Sequence, residues 1–289
     1  MNKVQKKIYV ITGSNKGIGL GLVENLCKRF IQNSNFESTI FATTRQEKLG
    51  LESIKALSEK YPTVKNQLLY HQLDITNNES IAKFVNHLKT NNIKIDILFN
   101  NAGILIKDNN DKSNIEVSKE VLNTNYHSVI NLTNELIPFI NPYGHIINVS
   151  SKLGTFMELS KLIRYRFDNE KITMEELDTL EKEYYNAVEN NKEKEQGWLN
   201  DFNWPNSYCI SKVFLNAYSR QLAWKLLDQK IRVNVFTPGW CRTDMGGSSA
   251  TNDIYQGAET GVMISEMEDN DDFTKSYCKY YASSQVADW

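Results

Sequence analysis

Short runs of β-branched and aromatic residues alternate along the chain with segments whose apolar residues fall at helical spacing. Residues 7–12, 38–44, 67–73, 95–99, 144–149 and 231–237 read as strands, and 277–283 as a seventh. Between them, Ile18, Leu22, Leu26 and Phe30 mark one helix. Leu49, Ile54 and Leu57 mark a second over 46–60, and Val121, Leu122, Val129, Leu132, Leu136 and Ile137 a third over 118–139. A parallel strand needs a crossover to return beside its neighbour, and a helix is the usual one. The alternation therefore predicts an α/β fold, a doubly wound parallel sheet of about seven strands flanked by helices.

The first strand ends in Thr12-Gly13-Ser14-Asn15-Lys16-Gly17-Ile18-Gly19. Glycines here permit a tight turn and let backbone N–H groups approach a pyrophosphate at a helix N-terminus, although a bare strand-to-helix turn would use them too. The spacing is G-x-x-x-G-x-G, not the standard dinucleotide G-x-G-x-x-G. Where NAD-selective sheets place an acid after the second strand, this chain has Arg45. Arg45 and Lys16 suit a 2′-phosphate, so their charge favours NADP(H) over NAD(H). Asp74 after the third strand either caps the next helix or meets an adenine amino group. Asn100-Asn101-Ala102-Gly103 closes the fourth strand and Ser150-Ser151 the fifth, at the strand ends where such sheets bind ligands. Asn125 interrupts an apolar helical stripe and needs partners for its amide.

Tyr208 and Lys212 lie four residues apart on a helix over 206–220 and so share a face. A fixed positive charge favours a phenolate, so Lys212 is expected to tune Tyr208 toward acid–base work. Packing of an aromatic ring beneath a lysine stem gives the same spacing.

Residues 152–205 break the rhythm of short connections. Thr173-Met174-Glu175-Glu176 reads as a capping box, and Leu177, Leu180, Tyr184 and Val188 continue at helical spacing, which predicts an ordered helical insertion. Trp198 and Trp204 either join the core or wall an apolar pocket. Small polar residues over 246–251 suit a mobile lid, and the asparagine pairs 77–78, 91–92 and 109–110 suit turns. At 289 residues the chain is read as one domain, with the insertion at about 155–205.

A net charge of −2 gives no footprint for nucleic acid or an anionic membrane. No apolar window approaches the ~20 residues that span a bilayer, and the basic N-terminal residues run into a first strand instead of a signal peptide. Cys27, Cys209, Cys241 and Cys278 are dispersed without metal-ligand spacing, so no metal is expected. Reduced thiols in a soluble cytoplasmic protein fit best. Cys209 reads as packing or as a redox-sensitive neighbour of Tyr208.

In this order the glycine turn, Asn100-Asn101-Ala102-Gly103, Asn125, Ser151, Tyr208 with Lys212, and Pro238-Gly239 resemble the Rossmann-fold short-chain dehydrogenases/reductases over nearly the whole length. The long Ser151-to-Tyr208 gap, the Ser14-Asn15-Lys16 loop and residues 238–245 are most similar to the monomeric carbonyl reductases and the plant menthone and salutaridine reductases. The resemblance implies NADPH-dependent reduction of a ketone or aldehyde by a monomer. It implies that Tyr208 donates a proton to the carbonyl oxygen, Ser151 hydrogen-bonds that oxygen, Lys212 lowers the tyrosine pKa and holds the nicotinamide ribose, and Asn125 positions a relaying water. By the same resemblance Gly13, Ser14, Asn15, Lys16, Gly17, Ile18 and Gly19 hold the phosphates with Arg45, and Asp74 and Ile75 border the adenine. Asn101, Ala102 and Gly103 would border the ribose, and Pro238, Gly239, Trp240 and Thr243 the nicotinamide. Phe236-Thr237 before Pro-Gly, and a tail without the glycine that often precedes the last strand, depart from that branch. An NADP(H)-binding regulatory protein without catalysis and an NAD-linked alcohol dehydrogenase are the alternative readings.

Overall fold

A computed structural model describes residues 6–32, 38–107, 112–156, 159–169, 171–198, 204–267 and 273–289. The expected turn at Asn109-Asn110 and the first five residues of the N-terminal reading lie outside them. One sheet runs in the order β3-β2-β1-β4-β5-β6-β7-β8. It comprises β1 (Ile8–Thr12), β2 (Thr39–Thr44), β3 (Leu68–Gln72), β4 (Ile95–Asn100), β5 (Ile140–Val149), β6 (Arg232–Thr237), β7 (Tyr280–Ala282) and β8 (Gln285–Ala287). Every neighbouring pair is parallel except β7 with β8. The seventh strand is thus shorter than its hydrophobic run and is followed by an eighth. Cys278 at φ 54° holds the chain out of extended conformation, and Ser283 and Ser284, at φ 48° and 62°, turn it back. Two consecutive left-handed residues match the twist of a tight hairpin, but two serines lack the Asn-Gly signature that would announce it.

Alternation along the strands divides the core between the two faces of the sheet. Val10, Leu98 and Ile146 pack on one face with Phe84 and Leu88 of α3 (Asn78–Thr90), Leu132 and Leu136 of α5 (Ser128–Leu136) and Phe214 of α8 (Asn206–Leu226). Tyr9, Ile11, Phe99 and Ile147 pack on the other with Leu22 and Leu26 of α1 (Gly17–Gln32) and Val262 of α9 (Ile254–Ser265). On α2 (Glu47–Lys60) only Leu57 of the expected stripe is buried, and Leu49 is exposed. That helix approaches the sheet through Gly50, where a Cβ would fall 2.0 Å from the Tyr70 ring, and this turns Leu49 outward. Asn77 caps α3 by accepting from the Ser80 N–H, so the capping alternative for Asp74 falls to its neighbour.

The long helix expected over 118–139 is broken. α4 (Asn114–Leu122) begins at a Ser113/Glu116 capping box, and a π-helical turn over Asn123–His127 then joins it to α5. None of the stripe residues read from the sequence falls within Asn123–His127, so their spacing does not reveal the turn. The insertion forms α6 (Lys161–Phe167) and α7 (Met174–Glu189), the latter started by the Thr173/Glu176 capping box. The short α10 (Phe273–Ser276) precedes β7.

Candidate active site

The C-terminal ends of β1, β4, β5 and β6 converge on one crevice. At its floor the glycine turn is locked to the turn after β4. The Thr12 Oγ1 accepts the N–H groups of Asn101 (2.9 Å) and Ala102 (3.0 Å), and Asn101 Nδ2 donates to the carbonyls of Thr12 (2.8 Å) and Gly13 (3.0 Å). Gly13 and Gly17 have φ of 64° and 57°, where a side chain is strained. At Gly19 a Cβ would stand 2.4 Å from the Gly13 carbonyl oxygen and 2.5 Å from Asn101 Nδ2, so only glycine lets the helix start this close. Ser14 is buried and tied to the Thr43 carbonyl through its N–H (3.0 Å) and hydroxyl (3.2 Å).

Lys16 Nζ lies 2.6 Å from Asp244 Oδ2, with both side chains largely exposed, so the glycine loop touches the loop after β6. The lysine holds the Asp244 carboxyl below its usual range. Arg45 stands exposed at the end of β2. Asp74 Oδ1 accepts from the Thr76 N–H and hydroxyl, and Ile75 is buried in the core. After β6, Gly239 has φ 75°, and Thr243 Cγ2 lies 3.4 Å from where a Gly17 Cβ would be. The expected lid is fastened to this stretch: Trp240 Nε1 donates to the Gly246 carbonyl (2.9 Å), and Arg242 donates to those of Ala250 and Thr251.

On the crevice wall, α8 presents Tyr208, 7% exposed, and Lys212, 5% exposed. Ser151, placed by the end of β5, stands near enough to the Tyr208 phenol to hold its pKa down, and its hydroxyl accepts the Leu153 N–H at 3.2 Å. Lys212 Nζ donates to the Val149 carbonyl at 2.9 Å and lies 5.7 Å from the centre of the Tyr208 ring. Gly154 lets the chain after Ser151 pack on α8, since a Cβ there would come within 2.4 Å of Lys212 Cβ. Burial pushes the Tyr208 phenol up to about 12, against the lowering effect of nearby Ser151, and pushes Lys212 down to about 8. The net displacement of the phenol is thus opposite to that expected from four-residue spacing alone. Desolvation of a phenolate outweighs the ammonium, whose Nζ is turned to a carbonyl.

Asn125 lies in the π-helical turn, where such turns often serve functional sites. Its amide is fully engaged within the protein. Oδ1 accepts from the Ile104 N–H (2.7 Å), and Nδ2 donates to the Ile104 carbonyl (2.9 Å) and Ser211 Oγ (3.0 Å). Ser211 in turn donates to the Tyr208 carbonyl (2.7 Å), which joins the turn after β4, the π-turn and α8.

Sequence reasoning passed over Ser211, the anchoring role of Thr12, and a buried chain in which Asn100 donates to Asn148 and Asn148 to Ser219. Polar residues at sheet-facing positions within apolar runs were the available signal. The tryptophans divide: Trp198 is core, packed on Phe167 and Tyr184, whereas Trp204 lines a cavity of about 700 Å³ beside Ser207. That cavity also meets Tyr184, Ile106, Val117 and Gly246. Cys209 is buried as expected of packing. Among the described residues, no helix is long and apolar enough to cross a membrane.

A nucleotide-type glycine cradle beside Ser151 and the buried Tyr208–Lys212 pair defines a dehydrogenase or reductase class of site. The profile of the family described as short chain dehydrogenase matches residues 7–166, and that described as Enoyl-(Acyl carrier protein) reductase matches 199–280. The chain belongs to the short-chain dehydrogenase family. It is 31% identical to Carbonyl reductase [NADPH] 1 of Bos taurus, over 98% of each chain. Its structure is similar to salutaridine reductase from Papaver somniferum, with a TM-score of 0.78, 26% identity and 95% and 99% of the two chains covered. It is also similar to menthone neomenthol reductase from Mentha piperita, with a TM-score of 0.79, 23% identity and 97% and 100% covered.

Proposed function

We propose that this protein reduces a ketone or aldehyde to an alcohol at the expense of NADPH, with Tyr208 as proton donor. The observation that carries this reading is the buried Tyr208 phenol, with Ser151 near enough to hold its pKa down and Lys212 Nζ 5.7 Å from its ring. The residues fit NADP(H). Gly13, Gly17 and Gly19 leave space and backbone donors for a pyrophosphate, Lys16 and Arg45 offer cations, and no acid stands at the end of β2. The exposed Lys16–Asp244 pair is worth little in water, ~0–1 kcal/mol, so a 2′-phosphate can take the lysine.

When bound, NADPH supplies hydride to the carbonyl carbon. Tyr208 keeps its proton at neutral pH and gives it to the oxygen that becomes the alcohol, while Ser151 donates a hydrogen bond to the same oxygen. Lys212 offsets the charge left on the tyrosine and binds the ribose hydroxyls. Asn125 fixes the turn after β4 against α8, next to the water through which Lys212 recovers a proton. Ser14, Asn15 and Ile18 complete the phosphate loop. Asp74 and Ile75 border the adenine, Asn101, Ala102 and Gly103 the ribose, and Pro238, Gly239, Trp240 and Thr243 the nicotinamide. The substrate body occupies the cavity beside Ser207. The whole chain acts as one domain and as a monomer, supported by the burial of Phe167, Tyr184 and Trp198 of the insertion within its own chain, while Leu162 and Tyr165 of α6 stay exposed. The dispersed cysteines, without a disulfide framework, support a cytoplasmic site of action.

NADPH consumption over a panel of ketones and aldehydes tests the reading. Turnover with NADPH at least tenfold more efficient than with NADH is expected, and equal efficiency would remove the roles of Lys16 and Arg45.

A further inference from the structure

α8 carries two fully buried serines that make the same pair of hydrogen bonds at two points along its length. Ser211 donates to the Tyr208 carbonyl (2.7 Å) and accepts from Asn125 Nδ2 (3.0 Å). Ser219 donates to the Leu215 carbonyl (2.6 Å) and accepts from Asn148 Nδ2 (2.7 Å). Bonding back to a carbonyl of its own helix is ordinary for a buried helical serine. It spends the single hydroxyl proton, so the oxygen meets its second partner as an acceptor. The two serines differ in what they hold. Asn148 belongs to β5, and Ser219 stands ~16 Å along α8 from Tyr208 at the helical rise. Asn125 belongs to the π-helical turn, and Ser211 immediately precedes Lys212.

With Ser211 accepting, the Asn125 amide has one workable orientation. Its Oδ1 accepts from the Ile104 N–H (2.7 Å) and its Nδ2 donates to the Ile104 carbonyl (2.9 Å) and to Ser211. Turned over, the amide would set Oδ1 against the serine oxygen and Nδ2 against the Ile104 N–H. Gly103 closes the same corner: a Cβ there would lie 3.0 Å from Asn125 Oδ1 and 3.8 Å from Lys212 Nζ. The turn after β4, the π-turn and the Tyr208–Lys212 face of α8 therefore meet at Asn125, and Ser211 ties α8 into that meeting.

We propose that Ser211 is a positioning residue for the reduction: acting through Asn125, it holds Tyr208 and Lys212 in register with the turn that borders the nicotinamide ribose. This rests on the reading of the site as a carbonyl reductase. Misplacing a reacting group by about 1 Å can cost on the order of a hundredfold in rate, whereas the phosphate contacts of NADPH lie on other elements. Loss of the hydroxyl is thus felt in turnover before it is felt in cofactor affinity.

The test measures kcat and the NADPH dissociation constant for Ser211→Ala, Ser219→Ala and Ser211→Thr, with a ketone or aldehyde that the wild type turns over. Ser211→Ala lowers kcat at least about tenfold and leaves the NADPH constant within about threefold of wild type. Ser219→Ala removes the same two bonds from the same helix, so it lowers the melting temperature comparably yet keeps kcat within about threefold. Ser211→Thr returns the hydroxyl and brings kcat back to within about threefold of wild type. Ser211→Cys, close in shape with a weak hydrogen-bonding group, replaces the alanine variant if that fails to fold. If threonine does not fit, the double variant with Asn125→Ala decides, since losses that run through one bond do not multiply. A kcat that survives loss of the hydroxyl overturns the assignment, as does an equal fall in Ser219→Ala, a folded threonine variant as slow as alanine, or losses that multiply in the double variant. Absence of wild-type turnover with any ketone or aldehyde overturns the carbonyl-reductase reading and this inference with it.

Discussion

Burial works on Tyr208 and Lys212 in opposite directions, and both displacements keep the pair ready to reduce. The phenol, pushed up to about 12, holds its proton across the physiological range, while the lysine, pushed down to about 8, is only just charged there. A lysine lowered from 10.5 to about 8 reflects about 3 kcal/mol spent on keeping its ammonium buried at neutral pH. Because the folded value lies below the unfolded one, that cost is felt in full below pH 8 and relieved as pH rises toward 10.5. On the proposed mechanism catalysis moves the other way, since the ammonium assigned to support proton donation is lost above the same pH. We expect kcat/KM for reduction to be level up to about pH 7 and to fall above about pH 8, approaching tenfold per unit. The break should vanish in Lys212→Arg, which stays charged. A profile level to pH 10 in the wild type would remove the lysine from the proton path. Four-residue spacing conveys that Tyr208 and Lys212 share a face, but the balance between desolvation and charge depends on what covers them. That cover comes from Gly103, Val149 and Gly154, remote in sequence.

At the scale of elements, legibility followed the range of the forces involved. β1, β2, β4 and β6 and helices α1, α2 and α7 were readable because a hydrophobic pattern and a glycine or capping signal mark each of them locally. The π-turn that carries Asn125 was not, since its extra residue is specified by partners on β4 and α8. Nor was the β7–β8 hairpin, whose turn rests on two serines in left-handed conformation. The outward rotation of Leu49 is of the same kind: Gly50 meets Tyr70 of β3, and that close approach sets which face of α2 is buried. The candidate site was more legible than the elements around it, because strand ends fix where Gly13, Asn101, Ser151 and Gly239 must fall once the sheet is wound. Ser211 was missed because its partners, the Asn125 amide and the Tyr208 carbonyl, become neighbours only after folding.

The whole molecule pairs a nucleotide-type crevice with an insertion that walls it. α7 buries Leu177, Leu180, Tyr184 and Val188 against its own chain, and Trp198 closes behind Phe167. Leu162 and Tyr165 of α6 stay exposed, but with the α7 stripe and Trp198 covered from within, the protein is expected to sediment as a single 33.3 kDa chain. A stable dimer or tetramer at micromolar concentration would contradict that expectation. The insertion also supplies Tyr184, Val188, Glu193 and Trp204 to the cavity beside Ser207. The central claim is that one phenol delivers the proton, and Tyr208→Phe isolates it by removing a single oxygen from a side chain otherwise held in place. Measured on the same preparation, NADPH binding within about threefold of wild type and carbonyl turnover reduced by at least about a hundredfold are the predicted result, a general-acid contribution of ordinary size. Turnover within a few-fold of wild type would contradict it and pass the proton to another group.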